Sequence, residues 1–195
     1  MDRIHRMSRG RKTLLSLLLV GTVGTVAGIG TFSAFSATTD NTGNFFNAGT
    51  VSISDNDAGS AMYQITAATP LVPVVKCIQV TYTGSLDSTV SLYASAVGAI
   101  GQYVDLTIDK GTGMGVFPDC TGFTSQANVF TGTLGSFATG HTNFATGSVA
   151  APGAQAVWQQ NDVLVYRFTL TLQNNAAANG LTSGNHSFTW VAQNV

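Results

Sequence analysis

Leu164-Val-Tyr-Arg-Phe-Thr-Leu-Thr-Leu172 is the stretch that decides the fold. Leu164, Tyr166, Phe168, Leu170 and Leu172 fall on every second position, set against Arg167, Thr169 and Thr171. A period of two puts alternate side chains on opposite faces of an extended chain, so one face is apolar and the other polar. The same pattern recurs upstream. Ile78, Val80 and Tyr82 alternate with Cys77, Gln79, Thr81 and Thr83, and Val104, Leu106 and Ile108 alternate with Asp105, Thr107 and Asp109. Val90, Leu92 and Ala94 follow the turn Gly84-Ser85-Leu86-Asp87. Val51 and Ile53 open the series; Phe188, Trp190 and Ala192 close it, against Ser187, Thr189 and Val191. Several half-apolar strands joined by short polar turns predict an all-β fold, an antiparallel β-sandwich.

Between the strands, glycine, asparagine and aspartate cluster at 111–115, 140–147 and 174–184, as turn chemistry requires. Short helices or turns fit only at 98–104 and 136–141, and 145–155 reads as an exposed loop. Downstream of residue 33 no segment carries a helical stripe longer than two turns.

The N-terminus is different. Arg3, Arg6, Arg9, Arg11 and Lys12 precede a run, Thr13 to Thr39, without a single charge. A basic stretch followed by an apolar one predicts a signal peptide and signal helix over 1–33, with cleavage between Ser33 and Ala34. The alternative is an uncleaved anchor, since about 20 helical residues span a bilayer. Gly24 and Gly28 even form a GxxxG pair, but the glycines there weaken a helix. The expected organisation is a signal (1–33), an N-terminal segment (34–48) and one sandwich domain (49–195).

Beyond the signal the only bases are Lys76, Lys110 and Arg167, and the acids are all aspartates. Nucleic acid is not an expected partner, because phosphate binding needs clustered Lys and Arg. Cys77 and Cys120 are the whole cysteine complement. In an exported chain such a pair predicts a disulfide, the other reading being two buried thiols.

Catalytic patterns are missing. A zinc hydrolase of the HExxH type needs paired histidines and a glutamate base, whereas the domain offers His141, His186 and no glutamate. No G-x-S-x-G elbow occurs. Asp55-Asn-Asp-Ala-Gly59 lacks the later ligands of an EF-hand loop and reads as a polar turn. No cofactor and no metal site are expected. Trp158, in an irregular region, is either a surface binding residue or part of the core.

Sheet edges are then the open question, because exposed edges recruit other strands unless lysine, proline or bulges blunt them. Ala34-Phe-Ser-Ala-Thr-Thr39 is uncharged and able to extend. Freed by cleavage, it could add as a strand to a neighbour's sheet; the alternative is pairing within its own domain or staying disordered.

Gly30-Thr-Phe-Ser-Ala-Phe-Ser36, Asn44-Phe-Phe-Asn-Ala-Gly-Thr-Val-Ser-Ile53, Val80-Thr-Tyr-Thr-Gly84 and Gly184-Asn-His-Ser-Phe-Thr-Trp-Val-Ala-Gln193 together resemble the TasA/camelysin family, secreted proteins with a SipW-type signal peptide. The resemblance implies a jelly-roll sandwich, secreted or attached to the bacterial cell surface. It implies a structural protein of the biofilm extracellular matrix that assembles into fibres by strand exchange. Its partners would be other copies of itself, the signal peptidase, and other matrix or cell-wall components. The assembly strand would carry Ala34, Phe35, Phe45 and Phe46. The family name also carries a metallo-endopeptidase assignment, for which this sequence has no zinc motif. A surface adhesin or binding module is the third expectation.

Overall fold

The computed structural model describes residues 46–195. The expected signal, the Ser33/Ala34 cleavage point and the segment residues Phe35 and Phe45 lie outside the described residues. A compact unit spans Ala48–Val195. Its strands are β1 (Ile53–Asp55), β2 (Pro73–Tyr82), β3 (Ser88–Ala94), β4 (Val104–Thr112), β5 (Thr124–Thr133), β6 (Ser148–Val149), β7 (Val163–Leu172) and β8 (Phe188–Asn194). One short helix, α1 (Leu134–Gly140), follows β5, and 3-10 turns lie at Ala99–Tyr103 and Ala176–Ala178.

The strands form two antiparallel sheets, of five strands in the order β1-β2-β7-β4-β5 and of three in the order β6-β3-β8. This is a mostly β, two-sheet sandwich arrangement. The decisive stretch is the centre of the larger sheet: β7 lies between β2 and β4. Leu164, Tyr166, Phe168 and Leu170 are buried in one core with Val80 and Ile78 of β2, Leu106 and Ile108 of β4, and Val90 and Leu92 of β3. Phe188, Trp190 and Ala192 of β8 pack against that core while only partly buried.

Two buried contacts carry the chain from one sheet to the other. Tyr82 at the end of β2 donates its hydroxyl to Leu86 O and shares a 2.7 Å hydrogen bond with Ser88 Oγ, both residues fully buried. Ser88 in turn exchanges backbone hydrogen bonds of 3.0 and 2.8 Å with Trp158. Trp158 is fully buried and donates its indole N–H to Ala150 O at 2.6 Å, so it is a core residue. The 145–155 segment is correspondingly less exposed than its sequence suggests: it contains β6, and Ala150 and Ala151 are buried.

Helix α1 is short but well capped. Thr133 Oγ1 accepts from Ser136 N at 3.1 Å, and Ser136 Oγ accepts from Thr133 N at 2.9 Å, a reciprocal capping box. The helix buries Leu134, Phe137 and Ala138.

Candidate functional site

Among the described residues the two histidines lie apart, and each is engaged by an aromatic neighbour. The His141 ring stacks on Phe137 with centroids 4.5 Å apart, and His186 Nε2 lies 2.6 Å from the Tyr63 hydroxyl. Because His186 Nδ1 faces Gly184 O, an acceptor, Nε2 is the ring nitrogen left to accept from Tyr63. Burial pushes the Tyr63 phenol above its ordinary value and keeps it a donor. Among the described residues no three of His, Cys, Asp or Glu are grouped to hold a metal ion. An open cleft of about 600 Å³ runs between Ser60–Ile65 and the Val74 and Lys76 side chains.

The functional geometry lies at the strand edges. Among the described residues four edges end the two sheets, and three of them are blunted. β6 is two residues long. β5 pairs with β4 through two register shifts, which leave Gln126 and Val129 as extra residues in β5. Bulges of this kind twist an edge and spoil it as a template.

The edge on the β1 side is covered piecewise. β1 spans only three residues. Beyond it, Asn56 Oδ1 accepts from Gln79 N at 2.9 Å, and Pro118 O accepts from Cys77 N at 3.0 Å. Pro118 belongs to the β4–β5 connection, residues 113–123, which straps back across the outer face of the larger sheet. Cys77 and Cys120 are joined in a disulfide with Cα atoms 5.1 Å apart. The strap leaves β4 and rejoins β5 at Gly113 and Gly122, both at positive φ (76° and 85°). A Cβ on Gly113 would collide with Gly122 O, so a side chain there would push the two ends of the strap apart. At its base the Arg167 guanidinium lies 4.7 Å from the Phe123 ring centre and pairs with Asp109 at 2.7 Å.

Among the described residues β8 has none of this protection. It pairs with β3 over seven uninterrupted residue pairs, Ser88↔Asn194 to Ala94↔Phe188. The flanking hydrogen bonds, Ser95 N to Ser187 O and Val195 N to Asp87 O, set the parity of the ladder. Thr189, Val191 and Gln193 therefore bond β3, and the N–H and C=O groups of Phe188, Trp190, Ala192 and Asn194 point away from it. Among the described residues nothing accepts from those four N–H groups. The strand is regular and carries neither charge nor proline.

Beside this edge lies a cleft of about 170 Å³ lined by Ile53, Asp55, Val80, Phe188 and Trp190, among others. Beneath it Tyr166 and Trp190 pack with ring centres 5.5 Å apart, and Tyr166 Oη and Trp190 Nε1 are buried without hydrogen-bond partners among the described residues. Asp55 at the cleft's rim is pushed above the usual carboxylate value, chiefly by burial and further by the Asp57 carboxylate, against a lowering backbone hydrogen bond from Asp57.

Of the assembly residues expected from the sequence, Phe46 alone is described, exposed and in irregular chain. The acceptor side of strand addition was not assigned from the sequence at all. Its signal was present: Phe188–Asn194 is a long alternating run without charge or proline. Compared with protein-family models and with curated proteins, the chain matches none.

Proposed function

We propose that this chain is a secreted structural protein that assembles into fibres by strand addition, with β8 as the acceptor edge. The observation that carries the reading is the bare β8 edge, seven residues of regular strand with four outward N–H groups and half-buried aromatics beneath. A strand added there would satisfy the outward groups and cover Phe188, Trp190 and the adjoining cleft. β-strand addition takes its affinity from main-chain hydrogen bonds and its specificity from pockets for alternate side chains.

The donor is the uncharged segment 34–48 of another copy, with Ala34, Phe35, Phe45 and Phe46 as its apolar residues, released when a signal peptidase cuts after Ser33. The resemblance to the TasA/camelysin family supports this reading, and with it a jelly-roll closure of the sandwich, an N-terminal signal helix and a place in a bacterial biofilm matrix or cell surface. Assembly rather than catalysis is the proposed activity.

Electron microscopy of the secreted full-length protein tests it. Fibres are expected from the intact chain, and a folded, fibre-free monomer from a chain lacking residues 34–47. Fibres that persist after that deletion reject the reading.

A further inference from the structure

We infer that the Cys77–Cys120 disulfide is a latch over a second, concealed docking edge, and that reducing it lets two copies pair through β2. The register fixes which β2 groups face outward. Tyr82 N bonds Asp162 O on the β7 side, so the even residues of β2 bond β7 and the odd ones point to the opposite edge. On that edge Thr83 and Gln79 are covered from the β1 side, by Ser52 O and Asn56 Oδ1. Cys77 N is covered only by Pro118 O of the strap. Val75 N has no acceptor among the described residues, and Val75 itself is exposed beside exposed Leu71 and Val72.

The strap's anchors divide into two sets. The Phe123–Arg167–Asp109 contacts hold its base on β7 and β4. Its tip is held by the disulfide, the Cys77 N–Pro118 O bond, the partly buried Phe117 and a 3.4 Å contact from Asn56 Nδ2 to Met114 Sδ. The disulfide is the one covalent member of that set. Reduction by an external dithiol breaks the S–S bond. The dithiol supplies two electrons and two protons, closes to its own disulfide and leaves thiols on Cys77 and Cys120.

With the tip released, the uncovered edge runs from Pro73 to Cys77. Pro73 has no N–H and Gln79 stays capped, so the window is short and bounded at both ends. The occupant that fits it is the same window of a second copy. Two antiparallel β2 edges centred on Val75 present each other's free N–H and C=O and bring the exposed Val75 side chains of the two copies together. Such an isologous contact closes after two copies, so it makes a dimer and not a fibre.

The test uses the full chain carrying Ala192→Pro, which removes an outward N–H from β8 and separates this contact from fibre growth. The folded protein is reduced with dithiothreitol without denaturant, then read by amide exchange and sedimentation. On the reduced Val75→Pro form, in which no partner strand covers it, the Cys77 amide should exchange at least tenfold faster while Ile78, bonded to β7, keeps its protection. The reduced chain without Val75→Pro should double its sedimenting mass, and the one with it should stay monomeric. An unchanged Cys77 amide in the Val75→Pro form, a monomer after reduction of the chain without it, or a dimer that survives Val75→Pro would overturn the latch. If reduction also strips protection from Ile78, the Cys77→Val/Cys120→Ala variant, apolar at the buried position, takes the same readings under the same criteria.

Discussion

β5 and β8 both end a sheet, and they end it differently. β5 is the longer, ten residues against seven, yet its ladder to β4 breaks register twice. β8 keeps one register throughout. Neither carries a charge. Edge protection here is a matter of backbone geometry: two extra residues, Gln126 and Val129, twist β5 away from pairing, and nothing comparable interrupts β8. A sandwich that protects one long edge and leaves another unbroken has a direction in which it can grow.

The largest expected effect comes from breaking β8. Ala192→Pro removes an outward N–H but leaves the bonds from Val191 and Gln193 to β3, so folding survives while assembly falls by about 100-fold or more, measured as fibre mass in sedimentation. The complementary change sharpens the contrast from the other side. Deleting Gln126 and Val129 restores a continuous β4–β5 register, and the straightened β5 should cause lateral bundling, seen as thickened fibres in electron microscopy.

The third edge is held by the disulfide. Cys77→Val/Cys120→Ala opens a loop with a sequence separation of 43. In the chain-entropy model this costs about 4 kcal/mol, read as a lower midpoint in urea with a steeper slope, because the denatured chain without the cross-link is more expanded.

The smallest effect concerns Asp55 at the rim of the β8 cleft. Its folded pKa lies above the ordinary 3.8, so its contribution to stability is fully present below 3.8 and is lost as pH rises through the folded value. Asp55→Asn should therefore stabilise the domain slightly at pH 7, an advantage that vanishes below pH 3.8 in thermal melts. A strand docked on the cleft buries Asp55 further, so wild-type assembly should strengthen on mild acidification, and Asp55→Asn assembly should not.

Much of the fold was legible because period-two alternation survives wherever a strand is regular. β2, β3, β4, β7 and β8 all read directly from their apolar positions. β5 did not: Thr124–Thr133 is largely exposed, and its two extra residues shift the phase of its side chains. The same bulges that blunt the edge hide the strand. The first strand is offset for a related reason. Thr50 and Ser52 bond the chain at Thr83 to Leu86, but regular pairing begins only at Ile53. Trp158 lacks periodic neighbours, so its place in the core followed only from the Ser88 bridge. The acceptor edge itself was hidden, because alternation identifies a strand without saying which neighbour it lacks. β8 reads like β3 in sequence, yet among the described residues β3 has strands on both sides and β8 on one.

Amide exchange resolved by residue, on the monomer and on the assembled protein, tests the central claim most directly. If β8 is the acceptor edge, the amides of Phe188, Trp190 and Ala192 become protected on assembly, while those of Thr189 and Val191, already bonded to β3, and those of residues 124–129 in β5 change little. Protection gained along β5 with Phe188, Trp190 and Ala192 still exchanging freely would contradict it.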